Sequence, residues 1–160
     1  MGYIFKVLDK CSDLLKVISA VSLASMMFLT FVDVVGRKFG HPVFGSVEIV
    51  GFLAMLTIAG ALPYTHKIDG HVGVEILVRL LPEKSQTAIT IFTQFLSFIL
   101  FSLATWQMYL YAMDTHHSGE VSMNLGFPVY LLMYAVSFGL FIFSLTILQS
   151  IINNIIKLRD

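Results

Sequence analysis

The chain has 160 residues, of which 57% are hydrophobic and only 12% charged, with a formal net charge of zero and a single cysteine. A nucleic-acid partner is excluded because neutralising phosphates needs a basic surface. An internal disulfide, a CxxC redox pair and a cysteine-based metal cluster are excluded by the cysteine count, and Cys11 reads as a small residue on an apolar helix face.

Four stretches carry no Asp, Glu, Lys or Arg: Val17 to Val32, Ile49 to His66, Ser85 to Met113 and Val121 to Ile156, which are 16, 18, 29 and 36 residues long. A membrane-crossing helix needs about 20 mostly apolar residues at ~1.5 Å rise each. The chain is therefore expected to be an all-α integral membrane protein with four transmembrane helices in one membrane domain. The first two reach spanning length only with flanking residues, which puts Lys16, Asp33 and Glu48 near helix ends, where charge can reach headgroups or water.

In chain order, Ile4, Leu8, Cys11 and Leu15 recur at helical steps with Lys6, Asp9, Lys10 and Asp13 between them, an amphipathic pattern that either lies in the membrane interface or extends the first helix. Helix one is expected over about residues 14–35. It is read as retained rather than as a signal peptide, since Asp33 to Lys38 follow it in place of a small-residue cleavage site and three more spans come after. A tight connection from Gly36 to Gly45, with Gly40 and Pro42, makes helices one and two an antiparallel hairpin. Ser46 is expected to cap helix two, with Glu48 in its first turn complementing the macrodipole.

Helix two is expected over about residues 47–64, with Gly51, Ala54, Thr57 and Ala61 at steps of three, three and four. Small residues on one face let helix backbones approach closely in lipid, so this stripe is a candidate packing seam; Ala20 with Ala24, and Ala135 with Gly139, are shorter versions. After Asp69, Gly70 and His71, the apolar residues Val74, Leu77, Val78 and Leu81 follow helical spacing up to Pro82. About a dozen residues cannot span a bilayer, so a short amphipathic helix over about residues 71–82 is expected along the membrane surface, a plain turn-back connector being the alternative. Helix three, about 86–111, ends in Trp106, Tyr109 and Tyr111, which suits an aromatic belt. The third loop holds Asp114, His116, His117 and Glu120. Helix four is expected over about 128–152, starting at Pro128 and leaving the membrane at Asn153 and Asn154.

Basic residues set the orientation. Eight of them, Lys6, Lys10, Lys16, Lys67, Arg79, Lys84, Lys157 and Arg159, fall on the side of the two termini and the second loop, against Arg37 and Lys38 on the other. Both termini should be cytoplasmic, in a bacterial inner membrane.

The middle of every helix lacks a carboxylate, a basic residue and a histidine, which argues against a solute path through this chain alone. The hydroxyls there bond back to their own helices. All five histidines lie in loops or at helix ends, so no buried haem ligand is available, and the adjacent His116 and His117 point in different directions with no cysteine to complete a zinc set. No nucleophile with its base, and no cofactor, is expected. What remains is the corner where Asp33 and Arg37 stand four apart and Glu48 arrives from the next helix: a favourable ion pair whose guanidinium a second carboxylate could share, or a charged contact to a partner.

At these residues the sequence resembles the DctQ-like small membrane subunit, or Q subunit, of tripartite ATP-independent periplasmic (TRAP) transporters. The ordered set is Arg37, Phe39, Pro42 and Glu48 leading into helix two, then Gly60, Gly70, His71, Val72, Val74, Leu81 and Pro82. Gly45 stands where family members often have a tryptophan, and Glu75 where they have an Asp. The resemblance implies a large multi-helix membrane subunit (M) that holds the sodium and substrate sites, and a periplasmic substrate-binding protein (P) that delivers a carboxylate. This chain would then be a non-catalytic scaffold, with Asp33, Arg37, Glu48, Gly51, Ala54, Thr57, Ala61 and His71 as partner-interface candidates besides its contact with membrane lipids. The alternatives are a self-contained homo-oligomeric exporter or channel, which would need a polar inner face, and an anchor subunit of a membrane enzyme.

Overall fold

A computed structural model describes residues 2–68 and 83–159. Four helices make up the described fold: α1 (Gly2–Lys38), α2 (Ser46–Lys67), α3 (Glu83–Ser118) and α4 (Val129–Arg159). Each contains a segment long and apolar enough to cross a membrane. The segment expected as an interfacial helix, with His71, lies outside the described residues.

The helices are longer than the apolar windows. α1 joins the amphipathic N-terminal pattern and the first apolar segment in one unbroken helix. α3 continues through Asp114, His116 and His117 to Ser118, so these residues form its last turns rather than a loop. α4 runs past Asn153 and Asn154 to Arg159, and Asn154 Nδ2 donates to Gln94 Oε1 across to α3 at 3.0 Å. Hydropathy marks where a helix meets lipid, while backbone hydrogen bonding carries it on into water; the two ends need not coincide.

α1 packs on α2, α2 on α4, and α4 on α3, with a lesser α1–α4 contact. α3 is thus held almost wholly by one neighbour. Along α1 the inward residues are Phe5, Leu8, Ser12, Leu15, Ser19, Ser22, Met26, Leu29 and Asp33, alternating in steps of three and four, and all are buried or half-buried. That heptad rhythm keeps one seam facing a neighbour over the whole helix. Three of its positions are serines, small enough for the backbones to close in.

Close approach occurs at two glycines. A Cβ built on Gly60 would stand 2.5 Å from Ser19 Oγ and 2.9 Å from the Leu15 carbonyl oxygen of α1, and one on Gly139 of α4 would stand 2.8 Å from the Ala59 carbonyl oxygen of α2. Pro63 lies inside α2 and is buried. Having no N–H, it cannot bond the carbonyl four residues earlier, which is that of Ala59, so the released oxygen sits where α4 crosses.

This is the internal seam of α2, and it lies beside the stripe read from small-residue spacing. Gly51, Ala54, Thr57 and Ala61 are only half-buried, and nothing lies within 4 Å of a Cβ on Gly51. The stripe counted small residues on a single helix; close packing requires them opposite a partner's backbone. Ala20, Ala24 and Ala135 are likewise exposed, whereas Gly139 is buried.

Candidate functional site: the cap over the apolar frame

The end of the bundle carrying the α1–α2 and α3–α4 connections is built on two carboxylates. Asp33, in the last turns of α1, accepts from Arg37 Nε at 2.8 Å and from the Val43 backbone N–H at 3.0 Å. The first bond follows from the i, i+4 spacing. The second crosses the turn, whose shape is set by the Gly36 carbonyl accepting from the N–H groups of Phe39 (3.1 Å) and His41 (2.8 Å). Asp33 therefore ties the end of α1 to the entry of α2. Its side chain is 10% exposed, while that of Arg37 is 56% exposed and keeps most of its guanidinium free to face outward.

Glu48 does something else. Its Oε1 accepts from the backbone N–H and the side-chain Nδ2 of Asn124, both at 2.8 Å, and its Oε2 accepts from the Leu125 N–H at 3.1 Å. A carboxylate with two oxygens can take several N–H groups of a turn together, in the way an anion sits in a nest. The α3–α4 connection is shaped to offer them. Val121 bridges Pro128, Ser122 N–H donates to the Phe127 carbonyl at 2.9 Å, and Ser122 Oγ accepts from the Phe127 N–H at 3.1 Å. Leu125 lies against Gly45, and the Phe127 ring sits 5.6 Å from that of Phe52.

Two expectations at this corner are corrected. Glu48 does not share the Arg37 guanidinium, since its oxygens are turned to the other loop. Ser46 is the first residue of α2 rather than its cap; Gly45 occupies the cap position with no side-chain cap bond. Asn124 was not singled out in the sequence. The only signal for it is turn chemistry, an Asn followed by Gly126 and Pro128, which says a turn forms but not which carboxylate fills it.

Around these nodes the cap exposes large apolar side chains: Phe39, Phe44 and Val47 are more than 70% exposed, and Met123 is 99% exposed at the tip of the loop. With Arg37 and Lys38 beside them they give a basic and apolar rim, while Asp33 and Glu48 are occupied internally.

The opposite end of the hairpin is fastened by charge. Lys67, the last residue of α2, pairs with Asp9 at 3.1 Å and lies 3.9 Å from Asp13, both on α1, and Lys16 Nζ lies 3.9 Å above the centre of the Tyr64 ring. Such pairs at exposed helix ends contribute little energy each, but they fix register.

Between the ends many of the hydroxyls are engaged. Ser19 Oγ donates to the Thr57 carbonyl at 3.0 Å, Ser102 and Ser144 share a 2.8 Å bond, Ser137 Oγ donates to the Thr105 carbonyl at 3.3 Å, and Thr30, Thr57, Thr90, Thr105 and Thr146 bond back four residues. Among the described residues no group of three or more His, Cys, Asp or Glu side chains could hold a metal ion. His116 packs its ring 4.4 Å from that of Tyr130, at the end of the α3–α4 pair.

Comparison with known proteins adds two findings. Residues 26–157 match the family model described as the DctQ component of tripartite ATP-independent periplasmic transporters. The chain is also similar to the ectoine TRAP transporter small permease protein TeaB of Halomonas elongata, at 25% identity over 146 residues that cover 90% of this chain and 75% of that protein.

Proposed function

Since the chain belongs to the DctQ family of small TRAP-transporter permease subunits, and is thereby a non-catalytic, multi-pass inner-membrane scaffold, we propose that it frames a large M subunit importing a carboxylate by sodium coupling. In this reading both termini are cytoplasmic, the cap faces the periplasm, and the Arg37 rim helps a periplasmic binding protein to dock. Asp33 and Glu48 act from beneath by fixing the two loops that carry the rim. Gly51, Ala54, Thr57 and Ala61, half-buried and without a close internal partner at Gly51, are offered as the face for M, with His71 in the connection that follows.

One observation carries the scaffold over a conduit: the hydroxyls of Ser19, Thr57, Ser102, Thr105, Ser137, Ser144 and Thr146 are bonded to their own or neighbouring helices and form no continuous polar lining to replace a solute's water. A homo-oligomeric exporter would need such a lining. The cargo named for the Halomonas relative is not carried over, because selectivity belongs to the other subunits in this reading.

Reconstituting this chain, the large subunit and the binding protein together and singly tests it. Sodium-dependent uptake is expected only with all three, and full transport without this chain would refute the assignment. Orientation has its own test: in a Cys11→Ser background, the His41→Cys protein should react with a membrane-impermeant thiol reagent added to intact spheroplasts.

A further inference from the structure

An open groove of about 580 Å³ runs between α3 and α4. Its lining runs from Phe98 to Tyr109 on α3 and from Tyr134 to Leu145 on α4. Eleven steps of helix rise on either wall give a length of ~16 Å. The hydrocarbon core of a bilayer is ~30 Å thick, so the groove is as long as one leaflet is deep. One end lies at Trp106, Tyr109 and Tyr134, residue types that settle at the membrane–water boundary; the other end falls near mid-membrane.

The chemistry of the walls selects the occupant. The polar groups along the floor are Ser102 with Ser144, which are bonded to each other, Ser137, which is bonded to the Thr105 carbonyl, and Thr105, which is bonded to Phe101. Each of these hydroxyls has a partner inside the bundle. Everything else is aromatic or aliphatic, and Phe138 and Phe141 stand half-exposed at the rim. A groove without polar demand in an apolar solvent is filled by hydrocarbon, since an empty one forfeits dispersion contacts on both walls.

We propose that the α3–α4 groove is a binding site for a single acyl chain of a phospholipid from the leaflet at the capped end. This goes beyond the scaffold reading and does not depend on which transporter the chain serves. The lipid would fill the gap beside the one helix that has a single packing neighbour, acting as a structural filler for the α3–α4 pair.

Trp106 lines the groove and is the chain's one tryptophan, so its fluorescence reports on the site. The full chain is reconstituted in phosphatidylethanolamine and phosphatidylglycerol brominated on the upper half of one acyl chain, then extracted into detergent and washed free of loose lipid. Retained quenching of Trp106 relative to protein from unbrominated lipid is expected, with phosphorus assay finding bound phospholipid. Filling the groove by Ser137→Phe, or by Leu145→Phe, which spares every hydrogen bond described above, should cut both the retained quenching and the bound phosphorus several-fold while circular dichroism keeps the helix content. Unquenched Trp106 after washing would overturn the proposal, as would quenching that both filling variants leave unchanged.

Discussion

The two helix hairpins of this protein solve the same problem differently. α1 and α2 meet backbone to backbone, with Gly60 against Ser19 and Leu15, and are locked at both ends by Asp33 and Lys67. α3 and α4 pack along their length through side chains, joined by rungs at Gln94–Asn154, Ser102–Ser144 and Thr105–Ser137 and by ring contacts at Phe101–Phe143, Tyr109–Tyr134 and His116–Tyr130. The second arrangement leaves a groove, and between Ala88 and Tyr111 no residue of α3 is buried. In lipid, where apolar burial between helices gains nothing over contact with acyl chains, closeness of backbones decides how firmly two helices hold. α2 is the centre of the frame, closed on α1 and α4, and α3 packs almost wholly on α4.

Breaking the close seam should have the largest effect. Gly139→Leu and Gly60→Leu force side chains into carbonyl oxygens where the neighbour is backbone and cannot give way, an overpacking that costs about 1–3 kcal/mol or more. Loss of monodisperse protein after extraction, measured by size-exclusion chromatography and thermal unfolding, is the expected outcome; a Gly139→Leu protein as stable as the wild type would dismiss the seam. Glu48→Ala comes next. It strips the Asn124 and Leu125 N–H groups of their acceptor, so protease cleavage at Met123 should speed up several-fold and complex assembly should weaken, with Glu48→Gln in between because one amide oxygen remains.

Smaller effects sharpen the contrast. Ser102→Ala removes one rung of the outer pair, and interhelical hydrogen bonds of this kind contribute only ~0.6 kcal/mol on average, so the melting temperature should barely fall. Arg37→Ala should leave the isolated protein as stable as before, because its ion pair is half in solvent; a loss of transport with unchanged stability would locate its role at a partner, and unchanged transport would remove that role. His117→Ala should alter neither. A marked defect there would mean the α3 end has a function that its exposed position does not suggest.

Some contacts of this protein are local in the chain and others are not. Asp33 and Arg37 are local: four residues on one helix bring them together whatever the rest of the chain does. Glu48 was legible as a residue of interest, yet its partner lies 76 residues away in a turn, and nothing in local spacing selects Asn124 over Arg37. The stripe from Gly51 to Ala61 shows the converse: the spacing is local, but its use is not. Small residues at helical spacing record permission for close approach, and whether a neighbour uses it depends on how that neighbour is turned.

The sequence alone determined that this is a bundle of four membrane helices with no charged group at mid-depth and an Asp33–Arg37 pair at one hairpin end, because the cost of burying charge in hydrocarbon and the helical repeat act within short windows of chain. The tertiary structure alone decided that α2 closes on Gly139 beside Pro63, that Glu48 seats the distant loop, and that α3 packs almost wholly on α4 with an apolar groove along the pair. Those outcomes rest on which helix faces meet, and among several apolar faces of similar hydropathy only the steric fit of small residues against backbone chooses.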